Sequence, residues 1–211
     1  PSFLIKKKKI LKKNSGKNIL FLSHNQMIYT YRVHDGPLGS EMINYFNFFD
    51  SFLNKIKKKI TSNILLRCNP YRDNLGFKNK FLNLNPSFKF SKNKDFNKDL
   101  ENAKIIINSA AESTFFQCMR SGKPTLLVLH KDLWNFTPEV KEMYYILKNK
   151  KIIFTDINLA IDHVEKIWKE PLAWWNSKDI IEARDLFEKT CSLSDDNNWK
   201  LFFKNINKHL S

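Results

Sequence analysis

"AKIIINSAAESTFFQCMRSGKPTLLVLH", residues 103 to 130, holds the pattern that decides the fold. An aliphatic run closes at Asn108, small and hydroxylated residues follow, and a segment from Ala111 carries apolar side chains up to Gly122. Pro124 then opens a second aliphatic run. Short aliphatic runs bounded by turn residues fit buried strands, and glycine just past the last periodic residue is the common helix stop. The stretch reads strand, turn, helix, strand.

The same alternation extends in both directions. Upstream, "KNILFLSH" gives a strand ending near Ser23, and "SEMINYFNFFDSFLNKIKKKI" a helix with Met42, Tyr45, Phe46, Phe49, Phe52, Leu53 and Ile56 at helical spacing and Ser40 as its cap. A strand "NILLRC", a loop "NPYRDNLGF", the segment "FKNKFLNLNP", a weak strand around "SFKFS" and a short helix "DFNKDLENA" follow. Downstream come a helix "TPEVKEMYYILKNK" with Pro138 in its first turn, a last strand "KIIFTD", a helix "INLAIDHVEKIWK" and a helical remainder broken near Ser192 to Asp196. Repeated βαβ units predict an α/β fold: a Rossmann-like parallel sheet with helices on both faces and a helical carboxyl-terminal extension. The expected organisation is a basic linker at 1–16, a Rossmann-like domain at 17–170 and the extension at 171–211. The chain starts with Pro1 instead of Met, so it is expected to be the carboxyl-terminal part of a longer protein.

Composition narrows the functional classes. With 42% hydrophobic and 14% aromatic residues, the 211-residue chain is globular and long enough for one sizeable core. No apolar run reaches the roughly 20 residues of a membrane span, and the amino end lacks a signal-peptide pattern, which predicts a cytoplasmic protein. Three scattered cysteines, with no CxxC pair, argue against disulfides or a zinc site. The net charge of +15 invites a nucleic-acid-binding module. Yet only five of the 36 basic residues are Arg, and Asn, Ile and Phe are overused as well, which looks like A/T-rich codon bias. Scarce Arg therefore carries more information than abundant Lys, because only its planar fork grips anions bidentately.

In open parallel sheets, ligands bind beyond the carboxyl ends of the strands, where four polar clusters fall: 23–32, 67–73, 108–114 and 130–135. At the third, a helix amino end with its free amides is a ready anion site. Asn108, Ser109, Ser113 and Thr114 would meet a phosphate there, and Glu112 would complement the dipole or accept from sugar hydroxyls. An ordinary capped helix start with no ligand is the plainer alternative. Arg67 leaves a buried strand with a charge that needs a partner, either a phosphate or an internal carboxylate, Asp73 or Asp35. Arg32 is a second candidate cation. His24, His34 and His130 sit in the loops and could act as base or phosphate donor, although a lone loop histidine is more often structural. No metal-ligand spacing, GxGxxG or Walker sequence occurs, and five glycines exclude a glycine-rich cradle.

The ordered segments "LLRCNPYRDNLGF", "AKIIINSAAESTFFQCMRSGKPTLLVLHKDLW" and "AIDHVEKIWKEPLAWWNS" resemble the carboxyl-terminal half of a bacterial family of surface-carbohydrate transferases. That family looks like GT-B glycosyltransferases and is similar in layout to Kdo transferases. Arg67, Tyr71, Asp73 and Gly76 match its loop motif, with Phe77 where the family tends to have Trp. Ser113 and Thr114 match its turn, Gly122 and Pro124 its strand start, Trp134 the next loop, and Trp174, Trp175 and Ser177 its helix motif. Gln117 stands where the family tends to place a Glu. The resemblance implies a nucleotide-sugar donor, with Ser113, Thr114, Gln117, Tyr71 and Asp73 in its site, and the strand-end reading adds Asn108, Ser109, Glu112 and His130. Arg67, matched by the resemblance, and Arg32, from the strand-end reading, are the expected catalytic cations, with no metal or other cofactor expected. The implied acceptor is a glycan or lipid-linked glycan, with peripheral membrane contact through the basic amino end and no nucleic-acid partner. A basic nucleic-acid-binding module and a non-catalytic nucleotide-binding domain are the alternatives.

Overall fold

The computed structural model describes residues 15–24, 41–60, 64–69 and 76–191. It contains β1 (Asn18–Leu22), α1 (Glu41–Lys59), β2 (Ile64–Arg67), α2 (Phe77–Leu84), β3 (Lys89–Phe90), α3 (Phe96–Asn102) and β4 (Ala103–Asn108). Then follow α4 (Ser113–Arg120), β5 (Thr125–Val128), α5 (Pro138–Asn149), β6 (Ile153–Phe154), α6 (Ile157–Ile167), α7 (Pro171–Trp175) and α8 (Lys178–Cys191). All six strands pair in parallel, in the order β3-β2-β1-β4-β5-β6. This is the Rossmann-like arrangement the alternating pattern predicts.

The unbroken aliphatic runs follow from burial on both faces of the sheet. Ile19 and Phe21 of β1, Ile105 and Ile107 of β4, and Leu126 and Val128 of β5 share one core with α1, α2 and α6. The alternate residues Leu20, Leu22 and Ile106 face Leu100 of α3 and Cys118 of α4. Leu127 and Leu129 pack with Met143 and Leu147 of α5 and with Trp175, Ile180 and Phe187 of the terminal helices. Residues 171–191 thus close the same core, and Trp174 and Trp175 lie in it as packing groups. Many phenylalanines are used in one cluster, where Phe46, Phe49 and Phe52 of α1 meet Phe77 and Phe81 of α2 and Phe21 of β1. Each such side chain contributes roughly 1.5–3 kcal/mol by leaving water.

Helix α2 occupies the segment "FKNKFLNLNP", to which sequence periodicity assigns no element. Only Phe77 and Phe81 are buried on it, one turn apart, and Asn-rich flanks hide so short a stripe. Gly76 precedes it at φ 62, a left-handed conformation that glycine adopts without strain. Gly122, past α4, has φ 74 and supplies the predicted stop. Gly16, assigned from sequence to the end of a linker, is instead buried with its backbone against Ala103 and Lys104. The Ser40 cap, residues 1–14 of the linker and the break near 192–196 lie outside the described residues. Among the described residues no helix is long and apolar enough to cross a membrane.

Candidate functional site

Strand order places the site. After β1 the chain moves toward β2, and after β4 it moves the other way toward β5, so the loops leaving these two adjacent strands diverge. Such a switch point leaves a crevice at the carboxyl ends of the strands, where ligands of open α/β sheets bind. Its walls are Ser23 and His24 on the β1 side and Ser109 to Glu112 on the β4 side.

The floor of the crevice is a closed hydrogen-bond network. Ser109 is fully buried, and its hydroxyl donates to Leu22 O at 2.8 Å. With that proton committed, the 2.7 Å contact between Tyr45 Oη and Ser109 Oγ has tyrosine as donor. The His24 backbone N–H donates to both oxygens at 2.8 Å. Burial pushes the Tyr45 phenol far above its usual range, so it stays a proton donor. The backbone N–H of Ser109 also donates to Leu22 O at 3.1 Å, tying the two strand ends together.

Above this floor the His24 ring, only 3% exposed, places Nδ1 2.6 Å from Glu112 Oε1. The contact spans the crevice from one loop to the other. Tyr45 and Trp134 hold the ring edge-on at centroid distances of 6.1 and 6.0 Å. Glu112 precedes α4, but its side chain makes no capping bond to the helix. Ser113 is exposed and Thr114 half-buried at the first turn of that helix. The amino end of α4 therefore faces the crevice with hydroxyls beside it, and the carboxylate beside Nδ1, close to it but outside hydrogen-bond geometry, favours a positive charge on the imidazole.

The remaining sequence-derived candidates separate. Asn108 is buried, and its side-chain Nδ2 lies there without a hydrogen-bond partner; burial pushes the nearby Cys118 thiol up to about 12. Ser109 belongs to the floor, with every hydroxyl contact inside the protein. Gln117 is half-buried one turn along α4 from Ser113. His130, beyond β5, packs edge-on against Phe48 at 5.1 Å and accepts from the Asp132 N–H at 3.3 Å. Arg67, expected to meet a phosphate or else Asp73 or Asp35, is engaged elsewhere. It pairs with buried Asp99, donates to Asn93 O at 2.7 Å and Lys94 O at 3.1 Å, and lies over the Phe96 ring. Asp99 also accepts from Ser91 and Asn93, so the guanidinium neutralises a buried carboxylate that locks α3 to β2. Arg32, Tyr71 and Asp73 lie outside the described residues.

His24, Tyr45 and Trp134 are the residues that sequence reasoning weighed too lightly. His24 read as one of three loop histidines and Tyr45 as one more member of an apolar stripe. A usable signal existed: in a chain that supplies Phe so freely, a Tyr in a Phe-lined helix face marks a hydroxyl with a buried partner. Among the described residues no three His, Cys, Asp or Glu side chains gather as a metal site requires.

Sheet order, switch point and helix amino end together define a Rossmann-like domain with a candidate ligand crevice. A family model described as LIC12162 family transferase matches residues 1–205, and the chain belongs to that transferase family. No curated protein and no solved structure matches it.

Proposed function

We propose that this transferase moves a sugar, and that the crevice between β1 and β4 holds the phosphate of a nucleotide-sugar donor. The observation that carries this reading is the junction of the uncapped α4 amino end, Ser113 and Thr114 with the His24–Glu112 pair. Transfer breaks the bond between the anomeric carbon and the donor phosphate oxygen, and the electron pair stays on that oxygen. Helix amides and hydroxyls aimed at the departing phosphate lower the barrier where the charge develops. His24, paired with Glu112, supplies a proton or a positive charge to the same oxygen, while the acceptor oxygen bonds to the anomeric carbon and loses its proton to a group elsewhere. The resemblance to surface-carbohydrate transferases supports a glycan or lipid-linked acceptor and work at the inner face of a bacterial membrane. A nucleic-acid surface would need aromatic groups exposed among cations, whereas Phe46, Phe49, Phe52, Phe77 and Phe81 are buried.

Calorimetric titration with CMP, UDP, GDP and a short oligonucleotide tests the proposal. Saturable binding of one nucleotide, weakened about tenfold or more by Ser113→Ala/Thr114→Ala and by His24→Gln, is the expected result. Salt-sensitive oligonucleotide binding with no response to any nucleotide overturns it.

A further inference from the structure

A second site lies at the sheet edge formed by β6, away from the crevice. A cavity of about 550 Å³ opens there between α5 on one face of the sheet and α6 on the other. Its floor is Ile153 and Phe154, and Leu159, a large apolar side chain left 62% exposed, continues it along α6. His163 and Lys166 follow Leu159 at helical spacing, so the wall changes from apolar to cationic along its length. Lys148 and Lys151, at the end of α5, bring two more cations to the same end as Lys166.

The charges are unbalanced. None of these three lysines has an ion pair with a described residue. The two acids in the lining are engaged elsewhere: Asp156 caps α6 by accepting from Asn158 and Leu159, and Asp162 pairs with Lys59. Lysines at helix carboxyl ends complement the dipole, and Lys151, at φ 59, closes α5 in the left-handed conformation of a helix stop, with Ile152 N–H donating to Leu147 O at 2.9 Å. Neither accounts for a further fact. His163 is 8% exposed, lines the cavity and leaves Nε2 buried with no hydrogen-bond partner. A buried polar atom without a partner calls for one. Burial, with Lys151 and Lys166 nearby, lowers this imidazole to about 4, so it is neutral and can exchange one hydrogen bond with a ligand head.

We propose that the β6-edge groove binds a phosphate-bearing amphiphile, with the phosphate between Lys148, Lys151 and Lys166 and the apolar body along Ile153, Phe154 and Leu159. Three cations at one end suit a phosphate monoester better than a singly charged carboxylate, and the apolar floor gives a free phosphate nothing to hold. The same head could belong to a membrane lipid or to a soluble molecule, and the experiment separates the two.

Dodecyl phosphate, kept below its micelle concentration, is titrated into the 211-residue chain with the His163 ring followed by NMR, beside inorganic phosphate and phosphatidylcholine vesicles with and without phosphatidic acid. Saturable binding that moves the His163 resonances is expected, with inorganic phosphate about tenfold weaker or worse. Lys151→Glu/Lys166→Glu should lose about tenfold or more, and Lys151→Gln/Lys166→Gln less. The charge-matched Lys98→Glu/Lys141→Glu should keep full affinity. Co-flotation with phosphatidic acid vesicles, lost in the same groove variant, assigns a membrane lipid; dodecyl phosphate binding without co-flotation assigns a soluble amphiphile. No saturable binding, an unmoved His163 signal or equal loss in both Glu variants overturns the proposal.

Discussion

Ser109→Ala tests the hydrogen-bond floor of the crevice, because each hydroxyl proton in that network has only one acceptor. Ser109 donates to Leu22 O, so its two lone pairs receive the Tyr45 hydroxyl and the His24 amide. Removing the hydroxyl leaves the Tyr45 O–H buried with no acceptor, at a cost of about 1–3 kcal/mol. Loss of the donation to Leu22 O adds about 0.5–1.5 kcal/mol, a modest amount because that oxygen keeps the Ser109 N–H. Tyr45→Phe alone removes donor and need together, and the His24 amide retains Ser109 Oγ, so about 0.5–1.5 kcal/mol is lost. In the double variant the Tyr45 donor is gone but the buried His24 amide loses both of these acceptors, so one orphaned donor replaces another and the combined loss should match the sum of the single losses to within about 1 kcal/mol. Urea unfolding followed by tryptophan fluorescence measures all three, with midpoints shifting at constant slope. A loss from Ser109→Ala no larger than that from Tyr45→Phe would refute the assigned proton directions, since only the first leaves a buried donor without an acceptor.

Three further outcomes follow from the same contacts. Arg67→Ala should destabilise the fold by about 3–5 kcal/mol, because it strips buried Asp99 of its cation, while Asp99→Asn in that background restores part of the loss. Nucleotide affinity of the folded Arg67→Ala fraction should be unchanged, and a selective loss of binding with full stability would contradict the structural role. Gly16→Ala should abolish or severely weaken folding, since a methyl group there collides with the backbone of Ala103 and Lys104; a melting temperature equal to the parent's would show that the strand entry can shift. His163 titrates near 6.5 when unfolded but near 4 in the fold, so the unfolded chain binds the extra proton between these values. Stability should therefore fall as pH drops from about 6.5 to 4, by at most about 1.4 kcal/mol per pH unit from this group. His163→Gln should flatten that segment of the stability profile, and an unchanged slope would mean that the ring is solvated.

Much of this protein is legible one segment at a time. Aliphatic runs of strand length, Pro138 at a helix start and glycine past α4 fix local backbone without help from distant residues, so the order of strands and helices follows from the sequence. The short amphipathic helix α2 escapes because two phenylalanines one turn apart are too few to set a period. The candidate site is legible as a place, the polar ends of successive strands, because parallel βαβ units put those ends on one edge.

What the sequence could not assign was partnership. Arg67 looks toward a ligand or toward Asp73 when only chain proximity is known; the fold brings Asp99 to it across 32 residues. Ser109 and Ser113 are equivalent hydroxyls in the sequence, yet one is sealed beneath the crevice and the other faces it. His24 and Glu112 lie 88 positions apart and become neighbours only because β1 and β4 pair at the switch point. Local periodicity and turn chemistry act over a few residues and are written in the sequence itself, whereas hydrogen bonds and ion pairs reach only about 3 Å and depend on which strands the tertiary structure sets side by side.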